Sequence, residues 1–189
     1  NDASTIPVPE IKKPEKISSL KILNMKENRG HARCNAFGIR YVIQNERFDY
    51  LILMDGDGED RPEELENLII EATKDPSNSV VAKRTKRSEG PIFQSLYIMH
   101  KIITNIFTGK IINFGNFSCL TKKDAEIVSL SPSLWSSYSG TIKKKLVKYR
   151  EISSIRGKRY FGPSKMSLFK LIIHSFSIIA VFKFHVFFR

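Results

Sequence analysis

Five consecutive apolar residues, Tyr50 to Met54 (YLILM), run straight into the acidic segment DGDGED. An apolar run of this length bounded by polar residues reads as a strand buried on both faces of a sheet. Pro62, Glu63 and Glu64 then open a helix, to about Thr73, whose acidic first turn suits the helix dipole. Ser79 to Ala82 supplies a second buried strand, so the order from Tyr50 to Ala82 predicts a parallel βαβ unit. Asp55, Asp57, Glu59 and Asp60 therefore fall just beyond the C-terminal end of a strand, where open α/β sheets place their ligands.

The other segments fit the same class. With 189 residues, 41% of them hydrophobic, the chain can build one core. Ile6 to Lys16 holds three prolines and reads as an extended linker, and Leu20 to Met25 as a short strand. The turn Asn28–Gly30 leads into a helix over Ala32 to Ile43, with Ala36, Ile39, Tyr41 and Val42 on its apolar stripe. Pro91 opens an apolar helix to about Phe107, and Ile111 to Leu120 reads as a strand broken at Gly115. Trp135 to Tyr149 is expected to be helical, Ile152 to Ile155 a strand, and Ser167 to the end a last helix. The aromatic residues from Phe93 to Phe107 lack the basic interleaving of a base-stacking platform and read as core.

Charge is unevenly placed. The formal net charge is +12 with a pI near 9.7, which implies an anionic partner: nucleic acid, a phosphorylated substrate or an acidic membrane. From Gly140 to Arg189 there are 12 Lys or Arg and a single acid, Glu151, whereas 19 bases meet 18 acids before Gly140. Cys34 and Cys119 lack metal-ligand spacing and read as free thiols in a reducing compartment.

Carboxylates alternating with glycines can turn toward one point, and hard oxygen ligands on a turn suit Mg²⁺ or Mn²⁺ bridging to phosphates. Such an ion would neutralise charge on a diphosphate leaving group. A solvated acidic turn capping the next helix is the bland alternative, and the apolar strand before it argues against that reading. A calcium loop of the EF-hand kind is a second competitor, with acids at Asp55, Asp57, Glu59, Glu63 and Glu66. It fails because Asp60 stands where the sharp turn needs Gly and because the preceding segment reads as strand.

The DGDGED run after a hydrophobic strand resembles the DxD-type motif of family 2 glycosyltransferases with a GT-A fold, in particular the branch of dolichyl-phosphate mannose synthases and polyprenyl-phosphate sugar transferases. Four further segments match in order. NDAST at residues 1–5 is similar to the family's DDGST, and NRGHARCNAFG at 28–38 to its Asn-x-Gly helix opening. AKRTKRSEG at 82–90 and RYFGPSKMS at 159–167 are similar to the branch's basic motifs. The resemblance implies a GT-A-like (Rossmann-like) fold with a mostly parallel sheet flanked by helices. It implies an inverting, hexosyltransferase-like enzyme that moves a sugar from a nucleotide-sugar donor to a polyprenyl phosphate.

Carried over residue by residue, Asp2 contacts the nucleotide, and Asp55, Asp57 and Glu59 hold Mg²⁺ or Mn²⁺. Arg84, Arg87, Arg159 and Lys165 gather the phosphates of donor and acceptor. Asp57, Arg159 and Lys165 are the catalytic candidates, and Asp2, Arg84, Arg87 and Ser164 bind substrate. Glu59 stands where many relatives have Gln, which makes the site more negative. Relatives also begin with a strand and helix ahead of the DDGST position and often continue into membrane spans. The sequence therefore reads as truncated at both ends, with weak activity expected of the piece alone.

Arg159, Ser164 and Lys165 around Gly162 offer a phosphate cradle, with an ordinary basic loop as the alternative. In the last segment the 12 residues Leu171 to Phe182 are free of Lys and Arg, short of the ~20 that span a bilayer. Lys170, His174, Ser177, His185 and Arg189 trace one polar seam on a helical wheel. The expected arrangement is a catalytic domain over 1–166 and an amphipathic juxtamembrane helix over 167–189, docked on the anionic cytoplasmic face of a membrane. A terminal core helix is the competing reading. Two functional rivals stay open: transfer to a soluble or glycan acceptor, and a non-catalytic basic module binding nucleic acid or membrane. No nucleic-acid partner is expected on the leading reading.

Overall fold

The computed structural model describes residues 1–5, 10–86, 91–160 and 168–187. Helix α1 (His31–Asn45) buries Ala36 and Ile39 and ends before strand β1 (Tyr50–Leu53). Pro62–Glu64 make a single 3-10 turn that passes into α2 (Leu65–Lys74), followed by β2 (Val80–Lys86). Helix α3 (Pro91–Thr108) and strand β3 (Phe114–Thr121) come next. Thr121 caps the short helix α4 (Lys122–Ser129) by accepting the Asp124 N–H at 3.2 Å, the contact that satisfies an otherwise orphaned helix donor. Helix α5 (Tyr138–Lys145), strand β4 (Arg150–Ile155), α6 (Leu168–Val181) and α7 (Lys183–Phe187) complete the described chain.

The sheet is mixed, which corrects the mostly parallel expectation. Its order is β1-β3-β2-β4; β3 runs antiparallel to both β1 and β2, and the β2–β4 pair is parallel. β1 and β2 do point the same way, as a βαβ unit requires, with β3 lying between them. Apolar runs specify burial on both faces and say nothing of a neighbour's direction, so the insertion had no signature in composition. β1 is an edge strand of this sheet and each of its residues is half-buried. Gly115 does not break β3; the register between β2 and β3 shifts beside it, between Val81 and Lys83.

Helices cover both faces, so the molecule is a mixed α/β layer structure consistent with a GT-A-like domain. On one face Leu68 and Ala72 of α2 meet Val80, Ala82, Phe117 and Cys119. On the other, Val81, Phe114 and Leu120 meet side chains of α1, α4, α5 and α6. The period-2 alternation of Val80, Val81 and Ala82 between these two clusters is the strand geometry itself. Cys119 is buried, and burial pushes its thiol up to about 11, the behaviour of an inert core residue; Cys34 is also unpaired.

Four further expectations change. Leu20 to Met25 forms no strand, because its backbone pairs only briefly with Asn1, through the Asn1 amine to Leu23 O (2.8 Å) and Met25 N to Asn1 O (3.0 Å). Trp135 to Tyr149 is not one helix: Pro132–Trp135 is a 3-10 turn, and Ser137 restarts the chain by accepting the Gly140 N–H at 3.1 Å. The last helix pauses at Phe182, and its inner face joins the domain core through Ile178, Val181 and Phe182. Phe107, expected inside, is exposed.

Candidate active site

The acidic loop begins where β1 ends, and the start of β3 lies alongside it. The β1–β3 register pairs Leu53 with Ser118, so continuing it by two residues sets Asp55 opposite Asn116. The Asn116 Nδ2 indeed donates to Asp55 Oδ1 at 2.8 Å. Asp60 turns back within the loop and its Oδ2 accepts the Asp55 N–H at 2.8 Å. The Asp57 Oδ1 accepts the Glu59 N–H at 3.0 Å, a side-chain turn typical of Asp in loops. Gly58 sits between them with φ 87, a left-handed conformation that favours glycine.

A strap following β4 closes over this loop. Gly157 N donates to Glu59 O at 2.8 Å and Tyr160 N donates to Asp57 O at 2.9 Å. The Tyr160 ring lies so close to Gly58 that a Cβ there would stand 2.6 Å from ring carbons. Gly157 is equally constrained, since its Cβ would meet Gly58 O at 2.6 Å. Two arginines of the strap enter the acids: Arg156 pairs with Glu59, and Arg159 Nη2 lies 2.8 Å from Asp57 Oδ2 and 3.6 Å from Glu59 Oε2. Glu64 fixes the base of the strap by accepting the Ile155 N–H at 3.0 Å.

Arg84 of β2 turns toward the acids of the loop. Its guanidinium packs over Gly115, where a Cβ would be 2.5 Å away, and lies 3.8 Å from Asp55 and 3.6 Å from Asp60. It neutralises the inner acids. Asp2 accepts the Arg29 N–H at 3.0 Å and so holds the turn before α1. Arg87, Ser164 and Lys165 lie outside the described residues. The structure thus brings together Asp55, Asp57, Glu59, Arg84 and Arg159 of the expected set. Asp60, already read in the acidic segment, joins the same network, and the structure adds Asn116, Arg156 and Tyr160. Arg156 had a legible signal, a second arginine three residues before a motif arginine across a glycine, whereas Asn116 is placed only by strand register.

Electrostatically the site is a closed network of opposite charges. Glu59 and Asp60 are buried. Burial drives the Asp60 carboxyl above its ordinary value; the Asp55 N–H, Arg84 and Arg156 oppose the rise, and the neighbouring Asp55 charge adds to it. The oxygen donors suit a hard divalent cation in type, but no three such groups surround one point among the described residues. Two pairs converge on an arginine: Asp55 and Asp60 on Arg84, and Asp57 and Glu59 on Arg159. Two carboxylates are what a magnesium-type ion usually takes from protein when substrate phosphates and water supply its other ligands. The buried Nε of Arg159 has no hydrogen-bond acceptor among the described residues.

A cavity of about 220 Å³ runs along the open edge of β1 and ends at Asn116, lined by Cys34, Gly38, Val42, Leu51 and Leu53 among others. A larger hollow, about 490 Å³, is lined by Asn78, Lys143, Lys148 and Arg150 at the opposite ends of β2 and β4. It is remote from the carboxylates, so its size does not make it the active site.

Residues 1–130 match the family model described as glycosyl transferase family 2. Comparison with curated proteins gave no match.

Proposed function

Because the chain belongs to glycosyl transferase family 2, we propose that its carboxylate loop binds a divalent cation together with the diphosphate of a nucleotide-sugar and that the sugar passes to a polyprenyl phosphate. A nucleotide-sugar donor and an acceptor follow from the family. The observation that carries the finer reading is the convergence of Asp57 and Glu59 on one guanidinium whose buried Nε lacks an acceptor. Such a group is suited to an added anion, and Arg gives phosphate a planar fork.

In this reading Asp57 and Glu59 hold Mg²⁺ or Mn²⁺, and Asp55, oriented by Asn116, completes the acidic wall. The ion supplies charge neutralisation on the departing diphosphate. Arg159 orients a phosphate next to it, and Asp2 contacts the nucleotide. Arg87, Ser164 and Lys165 serve the phosphates of donor and acceptor. An acceptor phosphate oxygen attacks the anomeric carbon, its bond to the sugar forms as the sugar–diphosphate bond breaks, and the configuration inverts. A phosphate is already anionic at neutral pH, so positioning suffices and no strong general base is needed. The basic C-terminal quarter and the outward apolar residues of α6 support a lipid acceptor at the cytoplasmic face of a membrane over a soluble glycan. The reading as a basic nucleic-acid module rested on charge alone.

The test is donor binding. Nucleotide-sugars titrated with Mn²⁺ or Mg²⁺ should raise the melting temperature of the wild type, and Asp57→Asn should lose about 10²–10³-fold in metal-dependent affinity, as expected for a group facing concentrated charge. Wild-type affinity in Asp57→Asn would remove the assignment.

A further inference from the structure

Helix α3 has its polarity reversed. Thr104 and Thr108 face the protein and are 3% and 2% exposed, while Ile106 between them is 61% exposed. Ile98, Met99 and Ile102 are also exposed. Positions 98, 102 and 106 follow the i, i+4 row of a helix, so these residues form one outward stripe opposite the threonines. Threonine inside and isoleucine outside is the reverse of a water-facing surface helix, and a contiguous apolar patch of this kind marks an interaction site.

What covers the stripe is indicated by its neighbours. α3 packs against α6 and α7, and α6 also turns large apolar side chains outward at Phe169, Ile172, Ile173 and Phe176. Phe184 and Phe187 of α7 continue the surface. Neither α3 nor the span from Leu168 to Phe187 contains an acid, and Lys101 and Lys183 belong to these helices. The quarter of the chain that carries α6 and α7 holds 12 bases against one acid. No helix of the described residues is long and apolar enough to cross a membrane. An acid-free apolar face flanked by positive charge, on helices that do not span, matches a helix lying in the interface of an anionic leaflet. A protein partner would be expected to meet some acid or polar rim on this face.

We propose that α3 is a second membrane-docking helix, joined with α6 into a two-helix platform that rests on anionic lipid. The proposal rests on the membrane-acceptor reading for the choice of leaflet and extends it to a helix that the sequence assigned to the core. α3 follows β2 in the chain and α6 follows β4, and β2 and β4 run parallel toward the end of the sheet that carries Arg84 and the strap. A platform on these two helices holds the carboxylate end of the sheet toward the lipid that would bring the acceptor.

The experiment is co-sedimentation with phosphatidylcholine vesicles, with and without phosphatidylglycerol. The variant carries Ile98→Glu, Ile102→Glu and Ile106→Glu, all at exposed positions. Binding of the wild type should require phosphatidylglycerol, and the variant's partition should fall at least about tenfold, because three apolar side chains that enter the lipid are lost and three negative charges are added. Its donor hydrolysis to water should stay at the wild-type rate. Unchanged partition of the variant overturns the proposal, as does a wild type that stays in the supernatant. A wild-type dimer in ultracentrifugation that the variant abolishes, with vesicle binding unchanged, assigns the face to a second copy and also overturns it. As a check independent of those substitutions, Ile106→Trp in a Trp135→Phe background should be quenched by brominated lipid; no quenching counts against α3. A wild type that docks through α3 yet transfers no sugar to polyprenyl phosphate leaves this inference standing and removes the acceptor reading instead.

Discussion

In the carboxylate loop each acid has its counter-group inside the protein: Asn116 for Asp55, Arg159 for Asp57, Arg156 for Glu59 and Arg84 for Asp60. On the face of α3 and α6 the exposed isoleucines and phenylalanines stand outside the core clusters. A metal entering the loop must exchange with the ion pairs already made by Asp57 and Glu59, while the buried Nε of Arg159 still offers a donor to an anion. The helical face leaves its apolar side chains open to solvent. Buried charge left unpaired is costly enough that a fold supplies partners for it. Exposed apolar surface is tolerated in the free protein and becomes favourable on burial.

Helix α6 carries both behaviours, and separating them gives the largest expected effect. Phe182 is fully buried with Val181 in the main cluster, so Phe182→Ala should cost about 3–5 kcal/mol in denaturant unfolding. Phe176 on the outer face is 65% exposed, and Phe176→Ala should stay within about 0.5 kcal/mol. Equal losses at the two positions would mean that α6 has no distinct inner and outer face.

A smaller effect is expected inside the loop. Asn116→Ala leaves Asp55 without its side-chain amide donor and should cost about 1 kcal/mol, the discounted value of a half-buried hydrogen bond to a charged group. It should also weaken metal-dependent donor binding while Asn116→Ser recovers part of it. Stability loss with unchanged donor affinity would make Asn116 a purely structural residue.

The smallest effect is a pH dependence. The folded-state value of Asp60 is raised, chiefly by burial, so the folded chain holds a proton more readily than the unfolded one. Stability therefore falls as pH rises from about 4, the ordinary aspartate range, through the raised folded value. Asp60→Asn keeps an oxygen to accept the Asp55 N–H and removes the titration. Its melting temperature relative to wild type should rise with pH between about 4 and 7. A difference that is flat or falls over this range would show that Arg84 outweighs burial.

Much of this was legible where one periodicity dominates. Ala36 and Ile39 announced α1, the run YLILM announced β1, and Pro62 with two glutamates announced the entry to α2. The position of the acids beyond β1 followed from that strand. Direction and pairing were not legible, because Phe114 to Leu120 reads the same whether its neighbours run with it or against it. Side-chain roles that depend on pairing went with it: Asn116 meets Asp55 through the antiparallel register, and Arg84 meets Asp60 because β2 lies beyond β3. Helix α4 went unassigned because Lys122 to Ser129 is short and weakly apolar. Phe107 was expected in the core and is exposed, because hydropathy marks an apolar helix without saying which of its faces the protein covers.

The measurement that tests the account most directly is transfer of labelled sugar from a nucleotide-sugar to polyprenyl phosphate in anionic vesicles, with Mn²⁺ or Mg²⁺ and again after chelation. Lipid-linked sugar should form with wild type, vanish on chelation and return when metal is restored, and fall by about 10²–10³-fold in Asp57→Asn. Transfer that survives chelation and Asp57→Asn unchanged, or that proceeds equally well to a soluble glycan without vesicles, would contradict it.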